Sequence, residues 1–497
     1  MKSNLTNRKL TWILVFVFIL ISFFPLFAFL GTLPLRTWDE SRLAASAYEM
    51  TQTKNPLVVT FDYQPDHWSV KPPLNIWAQA ISIKLFGVNE TAVRLPSALS
   101  IMFLGIILIF LTSKINRPWI GFYASVIIIC SKGILYYHCG RNADYDAMLS
   151  MLVIAYSMSI FVFSELKEKK YYIFFFIFLV LATLTKGVQA LIPLPFIFLY
   201  IVLRKDFIAL LKNKLTYIGI GLFLVVIGGY YFGREYFDNG YLKAVYENEL
   251  GGRYLKTLEG HHGEYDYYFI KLRDELFTYF IWIVPFSFVF NLFNKDKTSF
   301  RLSNYAFGIA ITIFIVISIG KTKLTWYAFP LLPLLAIVLG TSFATIHSWI
   351  LGLKTHKALT FSILLIGFVA IFYTPYKEIV NHVYKPKESD WFVPYYSRFE
   401  IIKKIIDKEL VFNDTVVYIN HDNQQDFFFY IYAMNHYGIL NDRKEVKQLK
   451  VGEIVQINEP NTDQQVMEIF EYDTLYHSIQ SKVVKLTALK ENKKIGR

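Results

Sequence analysis

Charge is scarce in this sequence. Only 18% of its residues are charged, against 54% hydrophobic and 18% aromatic. A soluble surface carries roughly 25% charged residues, so this chain has too few to coat the core it would bury. The shortage excludes a soluble protein of two or three domains and makes lipid the solvent for most of the apolar surface. Cysteine is nearly missing as well: Cys130 and Cys139 are the two present, which implies no disulfide framework. On one helix they would stand about 13 Å apart at about 1.5 Å per residue, beyond the roughly 7 Å a disulfide spans. Internal repeats and low-complexity tracts do not stand out. Within the apolar runs the visible ionisable residues are Lys132 and His347. Ion-coupled transporters place such groups at mid-membrane, so their rarity argues against that class.

What is present is a series of charge-poor runs at about 10–30, 95–113, 118–137, 147–164, 171–185, 188–203, 215–233, 276–294, 302–320, 324–350 and 358–375. A spanning helix needs roughly 17–25 residues, and the series predicts about 11–13 spans. Lys186 and Gly187 separate two short runs, read as a hairpin of spans. Lys2, Arg8 and Lys9 precede the first run. That run is longer than a signal-peptide core and lacks a small-x-small cleavage site, which predicts an uncleaved first span with its N-terminus inside. The positive-inside rule then sets orientation. Alternate loops hold Lys114 and Arg117, then Lys167, Lys169 and Lys170, then Arg204, Lys205, Lys212 and Lys214, then Lys295, Lys297 and Arg301, and finally Lys354 and Lys357. The register does not break, so the net charge of +12 reads as topology and no nucleic-acid partner is expected.

The segments left outside are 31–94, 138–146, 234–272 and the C-terminal stretch. The expected division is a transmembrane domain over 1–376, whose first external loop, 31–94, carries juxtamembrane helices, and a soluble extracytoplasmic α/β domain over 377–497. The second rests on the strand-like Thr415-Val-Val-Tyr-Ile419 and Glu453-Ile-Val-Gln-Ile457 and on helical spacing in Glu400-Ile-Ile-Lys-Lys-Ile-Ile406. The fold class is mainly α: a polytopic helical bundle with a small α/β appendage.

The conspicuous charges sit in the external loops beside span ends, a location that suits an enzyme acting at the membrane surface on a lipid-linked substrate. If Asp39 starts a helix in Arg36-Thr-Trp-Asp-Glu-Ser-Arg42, Arg42 shares its face while Glu40 points elsewhere. An N-cap Asp with a snorkelling Arg fits the same spacing. In Asp66-His-Trp-Ser-Val-Lys-Pro-Pro-Leu74 the residue before Pro is held extended, which makes Lys71 an ammonium on a fixed backbone suited to a phosphate oxygen; an interfacial lysine is the plain alternative. The turn His138-Cys-Gly-Arg-Asn-Ala-Asp-Tyr-Asp146 crowds Arg141, Asp144 and Asp146 together, as solvated helix ends often do. Glu259-Gly-His-His-Gly-Glu264 offers zinc-type ligands without a second ligand pair at familiar spacing, so exposed histidines are the default.

These pieces, in this order from about Trp38 to Pro333, resemble the bacterial membrane glycosyltransferases that include aminoarabinose transferase and the protein O-mannosyltransferases. The strongest part is Asp39-Glu-Ser-Arg42 with Lys71-Pro-Pro-Leu74, followed by Leu85-Phe-Gly-Val-Asn-Glu90 and Arg94-Leu-Pro96. Weaker echoes are Arg141 to Asp146, Leu184-Thr-Lys-Gly187, His261 with Tyr267 and Tyr268, and Lys323 to Tyr327 before Pro330 and Pro333. The resemblance implies a GT-C fold with its active site at the extracytoplasmic mouth of a cell-membrane bundle. It implies transfer of a sugar, with inversion, from a polyprenyl-phosphate donor to lipid A, another glycolipid or glycan, or a protein hydroxyl, with no nucleotide cofactor. The acidic set becomes Asp39, Glu40 and Asp146, with Asp39 the base; Arg42, Lys71, Arg141, Lys323 and Tyr327 become the phosphate side. Val70 stands where the family has an acidic metal ligand, and Glu264 where the histidine motif has proline. A divalent metal at His261, with His67 or Glu264 substituting, is therefore a weak expectation. A single base suffices because a phosphate-linked sugar already carries a good leaving group, unlike the alkoxide that obliges a glycosidase to use two carboxylates. The competing classes are a transporter or flippase of lipid-linked sugars, which needs the cations but no base, and a surface-assembly or sensor protein working through its C-terminal domain.

Overall fold

In the computed structural model of the protein the described residues are 2–136, 138–257, 260–353, 356–386, 393–419, 425–458, 460–479 and 481–490; Glu259 and Lys354 of the expectations above lie outside them. Eight helices are long and apolar enough to cross a membrane, and three shorter apolar helices, Pro118–Ile129, Leu194–Leu203 and Ile283–Leu292, occupy the remaining charge-poor runs. Hydropathy alone marks these elements because lipid offers the backbone no hydrogen bonds, so an apolar run must close its own as a helix. The outermost helices look into that lipid: 11% of the apolar window of Lys214–Phe237 and 17% of that of Lys357–Tyr384 is buried, against 94% for Asp146–Leu166 at the centre. The two ionisable residues noted in the runs are both partnered, Lys132 Nζ to Glu378 at 2.6 Å and the His347 ring to the Tyr123 hydroxyl at 2.7 Å.

Eight helices lead to the site: α1 (Lys2–Phe27), α2 (Asp39–Thr53), α3 (Leu74–Phe86), α4 (Glu90–Lys114), α5 (Pro118–Ile129), α6 (Lys132–Tyr136), α7 (Asp146–Leu166) and α8 (Lys169–Lys186). Between α2 and α3 lies a small hairpin of β1 (Thr60–Phe61) and β2 (Gln64–Pro65). Asn89 caps α4 by accepting from the Ala92 amide at 2.9 Å, and Lys167 in the left-handed conformation (φ 58°) turns α7 into α8. The predicted hairpin break at Lys186 is real in sequence, where α8 passes into a short 3₁₀ turn, Gly187–Leu191.

The last long helix, Lys357–Tyr384, continues past the expected boundary at 376. Beyond it a five-stranded mixed sheet has the order β4-β3-β5-β7-β6, with β3 Val416–Ile419, β4 Asn441–Lys444, β5 Ile454–Ile457, β6 Phe470–His477 and β7 Lys482–Leu489. The two strand-like stretches read from sequence are β3 and β5, paired in parallel with Val416 opposite Ile454. This sheet does not stand apart. One continuous core joins Leu43, Ala47, Ile76 and Val93 of the first loop and α4 to Phe399, Ile402, Tyr430 and Met434 of the C-terminal part.

Candidate active site

A cavity of about 570 Å³ opens at the end of the bundle where α2, the α6–α7 turn and the end of α8 meet. Asp39, Arg42, Lys71, His138, Asp144 and Lys186 line it, with Trp38, His261, Trp326 and Tyr327. Asp39 is the first residue of α2, where the positive end of the helix dipole favours a carboxylate. The residue before it, Trp38, is held at φ 72°, ψ −116°, a conformation that costs a bulky side chain about 1–3 kcal/mol. The turn is closed by the Arg42 amide donating to Trp38 O at 2.9 Å. Among the described residues no ion pair engages the Asp39 carboxylate.

Arg42 does share the face of Asp39, and its charge is already answered. Nε and Nη2 donate to Asp66 Oδ2 and Oδ1 at 2.8 and 2.7 Å, and the guanidinium lies 4.2 Å over the Phe61 ring. Burial raises the cost of an ionised Asp66, but the Arg42 hydrogen bonds and charge, helped by the Ser69 and Trp68 amides, hold its carboxyl below the usual range. Arg234, fully buried near the end of Lys214–Phe237, donates to the Asp66 carbonyl at 2.9 Å. Lys71 is fixed from below. Tyr241 donates to the Val70 carbonyl at 2.7 Å, and Ser69 shares a hydroxyl contact of 3.1 Å with Tyr145. Its ammonium lies 5.4 Å over the Tyr145 ring and 3.9 Å from Glu249. A contact that long leaves Lys71 weakly neutralised.

The α6–α7 turn supplies a pair that sequence reading did not assign. His138 Nδ1 donates to Asp144 Oδ2 at 2.9 Å, and Trp326 packs on the imidazole at 4.1 Å between centroids. Burial opposes both charged forms, yet the hydrogen bond and mutual attraction prevail, so His138 titrates above the usual imidazole value and Asp144 below the usual carboxylate value. Asp146, expected in the acidic set, is directed instead to Lys186, whose Nζ reaches both its oxygens at 2.7 Å; both residues are buried. Tyr327 lies against Lys186, 5.7 Å from ammonium to ring centroid. The signal for these partners was present in the quoted motifs, but nothing in one sequence pairs residues forty or so positions apart.

Besides Asp146, three expected site residues are placed outside this cavity. Glu40 is 1% exposed and forms a bidentate pair with Arg94 at 2.7 and 2.9 Å while accepting from the Arg36 and Ala143 amides. It braces the loop and does not line the cavity. Arg141 donates to the Pro25 and Ala28 carbonyls at 2.9 and 2.8 Å, closing the C-terminal end of α1. Burial and the neighbouring Arg94 charge lower its affinity for a proton, to about 10. Lys323 turns back to the Ile317 and Ser318 carbonyls, and burial and Lys321 lower its proton affinity too.

The metal expectation finds little support at its own position. Val70 is 1% exposed, and His67 is committed to Asp238 at 2.7 Å. Among the described residues the group spaced to share a cation is Asp39, His138 and Asp144, whose ligand atoms lie within 4.8 Å of one another; His261 is not in it.

Residues 70–231 match the dolichyl-phosphate-mannose-protein mannosyltransferase family. Over 95% of this chain and 97% of the other, the structure superposes on that of ArnT from Cupriavidus metallidurans bound to undecaprenyl phosphate, with a TM-score of 0.68 at 15% identity. The chain shares the GT-C fold of that structure. The GT-C protein from Cupriavidus metallidurans in its apo state superposes nearly as well, at a TM-score of 0.66. In sequence the chain is 26% identical over 315 residues to an uncharacterised protein of Aquifex aeolicus. It is 25% identical over 354 residues to an undecaprenyl phosphate-alpha-4-amino-4-deoxy-L-arabinose arabinosyl transferase of Shewanella sediminis. These matches take in 60% and 69% of this chain and span 58% and 63% of the relatives' own lengths.

Proposed function

We propose that the protein is an integral-membrane glycosyltransferase that moves a sugar from a polyprenyl-phosphate carrier to a hydroxyl on lipid A, another glycolipid or glycan, or a protein. The observation that carries this reading is the meeting of Asp39, Lys71 and Arg42 in one cavity at the end of a GT-C bundle. The acceptor oxygen attacks the anomeric carbon from the face opposite the phosphate. As that bond forms, the sugar–phosphate bond breaks, Asp39 takes the acceptor proton, and the anomeric centre inverts. Lys71 and the outward edge of Arg42 meet the departing phosphate, where partial exclusion of water strengthens their attraction. Lys186 is committed to Asp146 and supplies field rather than a free hydrogen bond. Tyr327 and His261 complete the wall on which the carrier phosphate would rest. The sequence likeness to the arabinosyl transferase supports a lipid-linked donor. The clustering of Arg117, Lys295 and Lys297 at the other end of the bundle supports an extracytoplasmic site in the cell membrane, with the N-terminus in the cytoplasm and the C-terminal domain outside.

The deciding experiment compares the purified protein with Asp39→Asn. The variant is expected to keep binding undecaprenyl phosphate and to lose sugar transfer. Intact transfer overturns the reading, and intact lipid movement without any transfer favours the flippase. Mass spectrometry of surface lipids and glycans from a strain lacking the gene identifies the sugar and acceptor by what disappears.

A further inference from the structure

Among the described residues the C-terminal domain does not line the cavity of Asp39 and Lys71, yet it reaches the chain that presents Asp39. Residues 28–38, the strap between α1 and α2, have no regular structure, so the backbone groups at its buried positions, such as Leu30, Pro34 and Leu35, need partners from elsewhere. Side chains supply them. Arg94 donates to the Leu30, Leu33 and Pro34 carbonyls at 2.9, 2.7 and 2.7 Å, and Glu40 accepts from the Arg36 amide at 2.7 Å. Two more come from the C-terminal domain. Tyr430, 2% exposed on helix Gln425–His436, accepts from the Leu35 amide at 2.9 Å and donates to Glu90 at 3.0 Å. Phe399 stacks on its ring at 4.7 Å. Lys403 donates to the Gly31 carbonyl at 2.7 Å. Gly31 itself lies against Thr91, where a Cβ would meet Oγ1 at 2.3 Å.

We infer that Tyr430 is a positioning residue for the proposed transfer: through the Leu35 amide it sets the strap that ends in Trp38 and Asp39, and so fixes the carboxylate in the cavity that Lys71 also lines. The domain also holds α2 at its other end, by a bond of the same kind. Tyr432 donates to Glu49 at 2.7 Å and stacks on Tyr48 at 5.0 Å. That contact is remote from Asp39 and gives an internal control of equal chemistry. The inference rests on the glycosyltransferase reading for its purpose, while its geometry stands without it.

The test is amide hydrogen exchange followed by mass spectrometry on the full chain in detergent, comparing Tyr430→Phe with Tyr432→Phe. Tyr430→Phe removes the hydroxyl that accepts from the Leu35 amide and donates to Glu90; it is expected to speed exchange in residues 31–39 by about tenfold or more and to weaken binding of undecaprenyl phosphate severalfold. Tyr432→Phe is expected to leave both unchanged. A domain that merely docks would loosen equally in the two variants, which overturns the inference, as does unchanged exchange in Tyr430→Phe. Lys403→Met, a partly exposed site, is the second probe should Tyr430→Phe fold poorly; it should release residues 28–33 alone, and unaltered exchange there counts against the inference. None of these readouts depends on catalysis, so a wrong functional reading would show separately, in Asp39→Asn.

Discussion

Two cavities of nearly equal size lie at the two ends of the bundle, about 570 Å³ beside Asp39 and about 590 Å³ beside Arg117. Helix α4 runs between them, from Glu90 near the first to Lys114 near the second, and helix Leu331–Leu351 does the same. Their linings differ in how charge is matched. In the second, Arg117 grips Asp296 with two hydrogen bonds of 2.6 and 2.7 Å, with Trp119, Phe290, Phe293 and Trp349 among the lining residues. The Arg117 hydrogen bond holds the Asp296 carboxyl well below the usual range, against an opposing effect of burial. In the first, Lys71 has only a long contact to Glu249, and the Asp39 carboxylate stands outside the ion pairs of its neighbours. Volume is common to both ends; the aspartate at one is held by a guanidinium, while Asp39 at the other has no ion pair among the described residues.

The largest effect should come from Asp39→Asn, which is expected to lower sugar transfer by about 10²–10⁴-fold in a purified assay, whereas Asp296→Asn leaves turnover unchanged. Equal losses at both ends would dissolve the contrast. Next, Lys71→Met is expected to weaken undecaprenyl phosphate binding by about 10–100-fold, the range of a charge-assisted hydrogen bond. Lys295→Met, in the other cavity, should leave the same titration untouched. Asp296→Asn acts instead on stability, by about 1 kcal/mol at neutral pH. Because the folded carboxyl is depressed, its stabilising contribution is present above the ordinary aspartate value and is lost as pH falls through the folded one. Thermal unfolding midpoints of variant and parent should therefore converge on acidification and separate at neutral pH. The smallest change is expected on dialysis against a chelator, which should leave transfer within about twofold if Asp39 serves as a free base; a larger loss would assign a cation to the Asp39, His138 and Asp144 group.

The bundle was legible because an apolar run in lipid has one way to satisfy its backbone, so every charge-poor run reappears as helix. The start of α2 at Asp39 could be read for a local reason as well, an acidic pair opening an alanine-rich stretch. What could not be read are the long-range pairings. Arg42 and Asp66 stood in two quoted motifs, but one sequence gives no sign that the second neutralises the first. Glu40 entered the acidic set through the resemblance, although helical spacing of about 100° per residue already turned it from the Asp39 face, and Arg94 collects it. Lys186 read as a break between spans, although it is buried against Asp146. Arg141 shared a crowded turn with Asp144 and faces the end of α1 instead. Adjacency in sequence suggested a cluster; the tertiary fold distributed its members between chemistry and scaffolding.

The bond between the Leu35 amide and the Tyr430 hydroxyl spans 395 positions. On a ribosome working at about 5–20 residues per second, the first partner waits roughly 20–80 s for the second to be made. The nascent bundle can thus insert and thread its spans well before its reactive mouth is complete. Under the positioning role proposed for Tyr430, synthesis of the last quarter of the chain is the step that arms it.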